Sequence, residues 1–443
     1  MELPIKNKRH FIIWANVCRW LLALVLMASG FLKALDPLGG MYKLQEYVTA
    51  FALSAISNDW LLAAAVAQAA IEFVLGLYLL MGVYRRIVPF LALLLMLFFT
   101  PFSFYLWVSN VVTDCGCFGE SIIMSNGATF AKNVVLLVFA IFAFIGRSSF
   151  IVNMSHRMRW ALVIFSWVYI LTMQATALRF LPLADWGNYV VGNNIRSMVE
   201  YVPGEYRYMS VYEKDGGEAV LPVDSVPGDG WTLVRTYQEL VSAGSEPEIG
   251  NFSIVDWEND IEMADELLAD TGYVCIVSIE DVQTASVTHV DRINDLYDYC
   301  CANGVRFCSV SSSDEDEVLL WTKRTGAEYP MCWADKALLR SMIHSNPGLL
   351  LLKDGVVVGK WAIPDIPDVE ELEKSPTLMP EVFSGPYDRI KSWPFWAVLF
   401  YVMLLLISLT DAFLAAVDYG RRWLVLRKEA AVKPVDKETS DIS

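Results

Sequence analysis

Two cysteines stand one residue apart in the run Thr113-Asp114-Cys115-Gly116-Cys117-Phe118-Gly119-Glu120. They are the strongest chemical signal in the chain. A disulfide between such neighbours closes only a small ring and is strained. Strained, exposed disulfides have high potentials and tend to be labile or catalytic. Gly116 supplies the backbone freedom that such a ring needs. Two other uses stay open. Paired thiolates are soft ligands for Cu(I) or Zn, yet two of them do not complete a zinc site and no histidine is near. The pair could also serve structurally, fixing a tight turn. The four histidines, His10, His156, His289 and His344, are scattered, so no metal ligand is assigned.

Redox use requires an oxidising compartment, because cytosolic thiols are kept reduced. The elements around the pair decide whether it reaches one. The chain has 443 residues, 55% hydrophobic and 19% charged, with a formal net charge of −16. Soluble domains run at about 45–50% apolar and about 25% charged. This balance excludes a disordered chain and argues against a purely soluble one. Its acidity argues against a nucleic-acid partner, which would need a basic face.

A membrane-spanning helix needs about 20 mostly apolar residues. Six stretches qualify: 11–32, 60–83, 87–110, 130–145, 160–180 and 395–417. Lys6, Lys8 and Arg9 precede the first, and Arg85 and Arg86 separate the second and third. Arg147, Arg157 and Arg159 separate the fourth and fifth, and Arg421, Arg422, Arg427 and Lys428 follow the sixth. Six crossings place all four groups on one side, and the positive-inside rule makes that side the cytoplasm. Lys33 and Lys43, in the first outer loop, are a counter-signal. The first span is too long for a cleaved signal core and is read as an anchor. Both termini are then cytoplasmic, in a bacterial inner membrane. Cys115, Cys117 and the long segment 181–391 face the periplasm. That segment carries 37 acidic and 15 basic residues, a net −22, leaving +6 for the remainder. Trp60, Trp107, Trp160, Trp393 and Trp396, near span ends, read as an interfacial belt.

Arg19 lies inside the first span and Glu72 near the middle of the second, with Gln68 one turn before it. A charge at membrane depth is costly and usually faces a partner in the bundle interior. Arg19 and Glu72 are therefore expected to pair, either as a structural clasp or lining a polar pocket for a quinone or a thiol substrate.

The segment Ser29-Gly30-Phe31-Leu32-Lys33-Ala34-Leu35-Asp36-Pro37, followed by Lys43 and Glu46-Tyr47, resembles the first loop of DoxX/MauE membrane proteins. The run Asp114-Cys115-Gly116-Cys117-Phe118-Gly119, with Lys132-Asn133 after it, resembles the MauE branch. The resemblance covers about residues 10–180. It implies a four-helix membrane core. It also implies a thiol-redox role, since MauE members are associated with maturation of methylamine dehydrogenase, a disulfide-rich periplasmic enzyme.

Residues 181–250 carry short Gly, Pro and Asp clusters and read as a loosely structured connector with a few short strands. From about 251 strands and helices alternate. Tyr273–Ile279 is a buried strand, Val305–Val310 and Tyr329–Trp333 are further strands, and helical spacing follows each. Ser313-Asp314-Glu315-Asp316 is a capping-box pattern. Asp354-Gly355 between two apolar runs signals a hairpin. This order is similar to the thioredoxin-like fold over about 250–375, with Pro347 matching the cis-proline beside that family's redox site. The departure is at the redox site itself. Where that family carries Cys-x-x-Cys, this chain reads Ser278-Ile279-Glu280-Asp281-Val282-Gln283. Cys275, Cys300, Cys308 and Cys332 read as buried small hydrophobes, Cys18 as inert within the first span, and Cys301, turned off the apolar helix face, as the domain's candidate for a reactive or paired thiol.

The expected architecture is an α-helical membrane bundle of six spans with a four-helix DoxX-like core, plus an α/β thioredoxin-like soluble domain. The boundaries are 1–180 (five spans), 181–250 (connector), 251–385 (outer domain), 393–418 (sixth span) and 419–443 (cytoplasmic tail). The expected function is thiol redox or disulfide maturation. Cys115 and Cys117 would pass oxidising equivalents between an extracytoplasmic client and a membrane acceptor, for which a quinone is an option. The rival is a non-catalytic envelope scaffold or assembly factor whose degenerate outer domain is a binding module. Small-molecule transport is weaker, because the spans offer few polar residues for a pathway.

Overall fold

The computed structural model describes residues 5–52, 56–112, 114–152, 154–215, 217–250, 252–374, 388 and 390–432. The expected outer-domain end at 385 and the tail from 433 lie outside them. The chain divides into two compact units, 1–186 with 385–443, and 187–384.

The first unit is helical. It contains α1 (Ile5–Leu35), α2 (Pro37–Ala50), α3 (Asn58–Met81), α4 (Val88–Ser109), a short strand β1 (Cys117–Glu120), α5 (Asn126–Ile145) and α6 (Arg159–Arg179). The last helix of the chain, Trp393–Val432, completes it. Among the described residues six helices are long and apolar enough to cross a membrane, at the six places the apolar runs indicate. The last one continues beyond the expected 418, through Arg421 and Arg422. Large apolar side chains such as Trp14, Leu94, Ile164 and Tyr401 are exposed on the bundle surface. A soluble fold would have to hide such a surface, whereas lipid solvates it.

Helix α2 is an element the apolar runs do not show. Asp36 caps its start, its Oδ1 accepting from Gly39 N at 2.9 Å, and Pro37 sits in the first turn. Proline is at home there, since that amide has no partner in the helix anyway. Helices α1 and α3 cross at very close range. A Cβ on Gly30 would lie 2.3 Å from Phe73 N, and one on Gly76 would lie 2.5 Å from Met27 N. Small residues let backbones approach in this way where lipid gives no hydrophobic drive between helices. The two glycines fix the antiparallel register and set Glu72 level with Ser29 and Lys33. The core spreads from this crossing through Leu77, Leu136, Leu162 and Ile170. Tyr169 of α6 joins the last helix, its hydroxyl donating to Trp396 O at 2.8 Å and its ring packing on Phe400.

The expected Arg19–Glu72 pair does not form. Arg19 Nη1 donates to Ile151 O at 2.9 Å, and its guanidinium lies 4.8 Å from the Phe150 ring centre. Glu72 meets Lys33 instead. Arg19 and Lys33 lie on the same helix. They are roughly four turns apart, about 20 Å along its axis. Both therefore cannot reach one carboxylate.

The second unit opens with α7 (Ile195–Val199). Three strands follow, β2 (Glu205–Lys214), β3 (Gly217–Pro222) and β4 (Thr232–Ser242), in an antiparallel sheet ordered β3-β2-β4. The segment read as a loose connector with a few short strands thus carries a three-stranded sheet, two of its strands ten and eleven residues long. Every residue of β4 is exposed. Only Ser210, Val211 and Tyr212 of β2 are buried, a consecutive run, so these strands lack the alternation of apolar and polar residues that marks a strand in sequence.

The remaining elements are β5 (Val255–Asp256), β6 (Ile261–Glu262), α8 (Ala264–Ala269), β7 (Tyr273–Ile279), α9 (Asp291–Asn303), β8 (Arg306–Ser311), α10 (Glu315–Thr325), β9 (Met331–Trp333), α11 (Lys336–Met342), β10 (Gly348–Lys353), β11 (Val356–Ala362) and α12 (Val369–Leu372). The seven strands form one sheet, ordered β11-β10-β7-β8-β9-β5-β6. Strands β7, β8 and β9 are parallel, and β10 runs antiparallel to β7 and to β11. A core covers each face, one around Ile293, Trp321 and Leu351, the other around Ile276, Leu339 and Leu350. The domain is an α/β sheet covered on both faces, as the alternation of elements implies. The capping box of α10 is present, shifted by one residue to Asp314 and Glu317. Asp354 and Gly355 turn the hairpin, both with positive φ. A type I′ turn requires that of its two central residues.

Candidate functional site

The dithiol loop joins α4 to β1. Asp114 anchors it. Its Oδ1 accepts from Lys43 Nζ of α2 at 2.7 Å, and its Oδ2 accepts from Gly116 N at 3.2 Å. Lys43 also meets Glu46, one turn on, at 2.6 Å. Burial works against the Lys43 charge, but Asp114 and Glu46 outweigh it and hold the ammonium above its usual range. Tyr47, next on the same helix, donates its hydroxyl to Cys115 O at 2.6 Å. Burial first, and the neighbouring thiols second, push that phenol well up, so it stays a donor. Gly116 has a φ of +60°, and a Cβ there would lie 2.8 Å from Lys43 Cγ. Only glycine makes this turn beneath α2 without strain.

The two thiols face each other with Sγ atoms 3.1 Å apart, both partly buried and both free. They share one proton unequally. The hydrogen bond from Cys115 lowers the Cys117 thiol to about 6, and the Lys132 and Lys33 ammoniums act in the same direction against burial. The same contact, with burial, raises the Cys115 thiol. The lowered direction favours thiolate character at Cys117, the condition in which a thiol is nucleophilic.

Directly beneath lies a polar cluster. Lys33 Nζ sits 2.7 Å from Glu72 Oε1, and Gln68 donates to the same oxygen at 3.1 Å. The Ser29 hydroxyl, with one proton to give, lies 2.6 Å from Glu72 Oε2 and 2.7 Å from the Cys117 carbonyl oxygen. Glu72 is 1% exposed, so its charge is compensated by these partners rather than by solvent. Lys132 of α5 packs over the Phe118 ring at 4.3 Å. Asn133 donates to Ser103 Oγ of α4 at 3.0 Å, tying the helices on either side of the loop.

The sequence-derived set therefore converges. Lys33, Asp36, Pro37, Lys43, Glu46, Tyr47, Asp114, Gly116, Phe118, Lys132 and Asn133 each position the loop or the helix that meets it. Gly119 closes the turn, its N–H donating to Gly116 O at 3.1 Å. Glu72 belongs to the same cluster and Arg19 does not. Ser29 and Gln68 enter as hydrogen-bond partners of Glu72. The spacing of Ser29 and Lys33, four apart on one helix face, is the signal for the first. A cavity of about 320 Å³ adjoins Cys115 and Cys117 and carries an aromatic wall of Phe98, Phe99 and Phe102, which no motif marks. Among the described residues no group of three or more His, Cys, Asp or Glu is placed to hold a metal ion.

In the second unit, Asn346–Pro347 is a cis peptide. Asn346 Nδ2 donates to Asp281 O at 2.9 Å, so Pro347 adjoins the 280–290 segment where the cysteine motif is missing. That segment forms turns, and helix α9 begins only at Asp291. Cys275, Cys300, Cys308 and Cys332 are buried and Cys301 is exposed. Desolvation holds the Cys275 thiol well above its ordinary value, which leaves it unreactive.

Fold and site together define a class: a multi-pass membrane protein whose helical bundle carries a dithiol loop above a buried Lys–Glu pair, with an α/β domain inserted before its last span. A family model matches the first part of the bundle. Residues 9–146 match the family described as methylamine utilisation protein MauE. The match covers the first four spans, and this membrane region is MauE/DoxX-like. No curated protein matches the chain.

Proposed function

We propose that the protein is a thiol-redox or disulfide-maturation factor for extracytoplasmic proteins, cycling Cys115 and Cys117 between dithiol and disulfide. The observation that carries this is the pair itself: two free thiols with sulfurs 3.1 Å apart, beside the Lys132 and Lys33 ammoniums that draw Cys117 toward the thiolate. A merely structural turn has no use for a lowered thiol. Oxidation removes two electrons and two protons from the pair and forms one S–S bond. Reduction by a client dithiol returns them and leaves a disulfide in the client, by exchange through a mixed disulfide.

The charge distribution supports a bacterial inner membrane location with both termini cytoplasmic. Six crossings then give the dithiol loop and the 187–384 domain the same periplasmic side. In that domain the sheet order β11-β10-β7-β8, with β10 antiparallel to β7 and β8 parallel to it, supports a thioredoxin-like reading. Lacking Cys-x-x-Cys, it would serve as a client-binding module rather than a second redox centre. A scaffold or assembly role without catalysis is the alternative, favoured by that missing motif.

Trapping the thiols in intact cells by alkylation separates the two. A redox carrier shows a mixture of reduced and oxidised pair that shifts with added reductant. Cys115→Ser or Cys117→Ser then lowers disulfide content in exported proteins. A pair that never changes state, together with unimpaired client folding in both variants, leaves the scaffold reading.

A further inference from the structure

The cavity beside the dithiol is built for a ligand that is mostly apolar with a polar end. At one end stand Cys115 and Cys117 with Ser29, Lys33, Gln68 and Glu72. The rest is walled by Leu26, Leu61, Met96 and the three phenylalanines of α4. Its volume is about 320 Å³. That is at the lower end of pockets that enclose small organic ligands, roughly 300–1,000 Å³. It also reaches the lipid-facing surface. Two of its lining residues, Ala64 of α3 and Phe98 of α4, are exposed on the outside of the bundle, Phe98 by 64%. A ligand dissolved in the bilayer can enter between these helices without crossing water.

The dithiol requires a two-electron acceptor, and the proposed function leaves that acceptor open. We infer that the cavity binds the head group of a lipid-soluble quinone, which takes two electrons from Cys115 and Cys117 and two protons, one from Cys115 and one from solvent. This inference rests on the redox reading of the pair and gives it an acceptor. The Cys117 thiolate adds to an electron-poor ring carbon, forming a C–S bond. The Cys115 sulfur, giving up its proton, attacks Cys117 Sγ. The S–S bond forms as the C–S bond breaks, and the electron pair stays on the ring. The reduced ring takes one proton from Cys115 and one from solvent, giving a quinol. One dithiol and one quinone thus become one disulfide and one quinol. Lys33 and Gln68, donors on the cavity wall, are placed to hold a quinone oxygen.

The test uses the full chain in lipid nanodiscs with decylubiquinone as the probe. Binding is measured first on the Cys115→Ser/Cys117→Ser variant, which cannot react. Saturable binding is expected there, weakened at least roughly tenfold by adding Ala64→Trp, which fills the cavity mouth from the lipid side. Ile164→Trp, an equally bulky change on the exposed surface of α6 and outside the cavity lining, is expected to retain binding and so separates occlusion from misfolding. Anaerobic mixing of reduced wild-type protein with the probe is then expected to yield one quinol for every two thiols lost. Absence of saturable binding in the double-serine variant overturns the quinone assignment, even if the wild-type pair still exchanges with a soluble disulfide. Binding without thiol loss in the wild type overturns the electron transfer. If the pair also fails to exchange with a soluble disulfide, the redox reading falls with it. Binding untouched by Ala64→Trp places the quinone elsewhere and overturns the cavity.

Discussion

At Cys117 the chemistry is set by three neighbours: the Cys115 S–H and the Lys132 and Lys33 ammoniums. A lowered thiol is ionised above its pKa and loses its reactivity as pH falls through it. The alkylation rate of the reduced pair is therefore expected to rise to a plateau with a midpoint at about 6. An ordinary cysteine would keep gaining to its own pKa of about 8.5. Cys115→Ser replaces the thiol donor and should move the midpoint upward, and iodoacetamide kinetics across the pH range check both. Lys33 and Glu72 give a second residue-level prediction. Glu72→Gln strands a buried ammonium, and breaking such a pair typically costs about 3–5 kcal/mol. Thermal unfolding in detergent should show a clear loss, with much of it recovered in Lys33→Met/Glu72→Gln. An unchanged midpoint in the single variant would remove the pair from the bundle's energetics. The thiols, the loop motif and Glu72 as an intramembrane acid needing a partner were legible in sequence. The partner of Glu72 was not, because it depends on how two helices slide past each other.

Between elements, that slide is set by Gly30 and Gly76. A Cβ at Gly30 meets backbone atoms of Phe73 and Ala69, which cannot swing aside as a side chain would. Gly30→Val is expected to force α1 from α3, destabilise the bundle by about 1–3 kcal/mol, and separate Ser29 and Lys33 from Glu72. Gly420→Ala in the last helix, with nothing within 4 Å, is the control. It should be neutral or slightly stabilising, as alanine is the better helix former. A lowered melting temperature for the first and not the second bears this out. Helix α2 shows what the apolar pattern alone conceals. At 14 residues it is too short to register as a span, yet it carries Lys43 and Tyr47 to the loop. Asp36-Pro37, a cap followed by a first-turn proline, is the sequence signal for it. The β2–β4 sheet left no comparable signal, since β4 is exposed throughout and β2 buries only the consecutive run Ser210, Val211 and Tyr212, so neither needs alternation.

For the whole molecule, the odd loops and the inserted domain are expected on one side of the membrane. Cys301 reports this directly, being exposed on α9. In a chain retaining Cys301 as its one cysteine, a membrane-impermeant maleimide should label it from outside spheroplasts. Labelling only after lysis would invert the topology and place Cys115 and Cys117 in the cytoplasm, where a stable disulfide is not expected. The sequence by itself determined the six spans, the two-part charge distribution, the α/β character of 251–374, and the residue types around the dithiol. Those follow from local composition and period, which each segment carries alone. Only the tertiary structure decided that Glu72 pairs with Lys33 rather than Arg19, that α2 holds the loop, and that a cavity opens from the thiols to the lipid face. Each of these depends on the register of one helix against another. That register is fixed by backbone contacts at Gly30 and Gly76, across long intervals of chain.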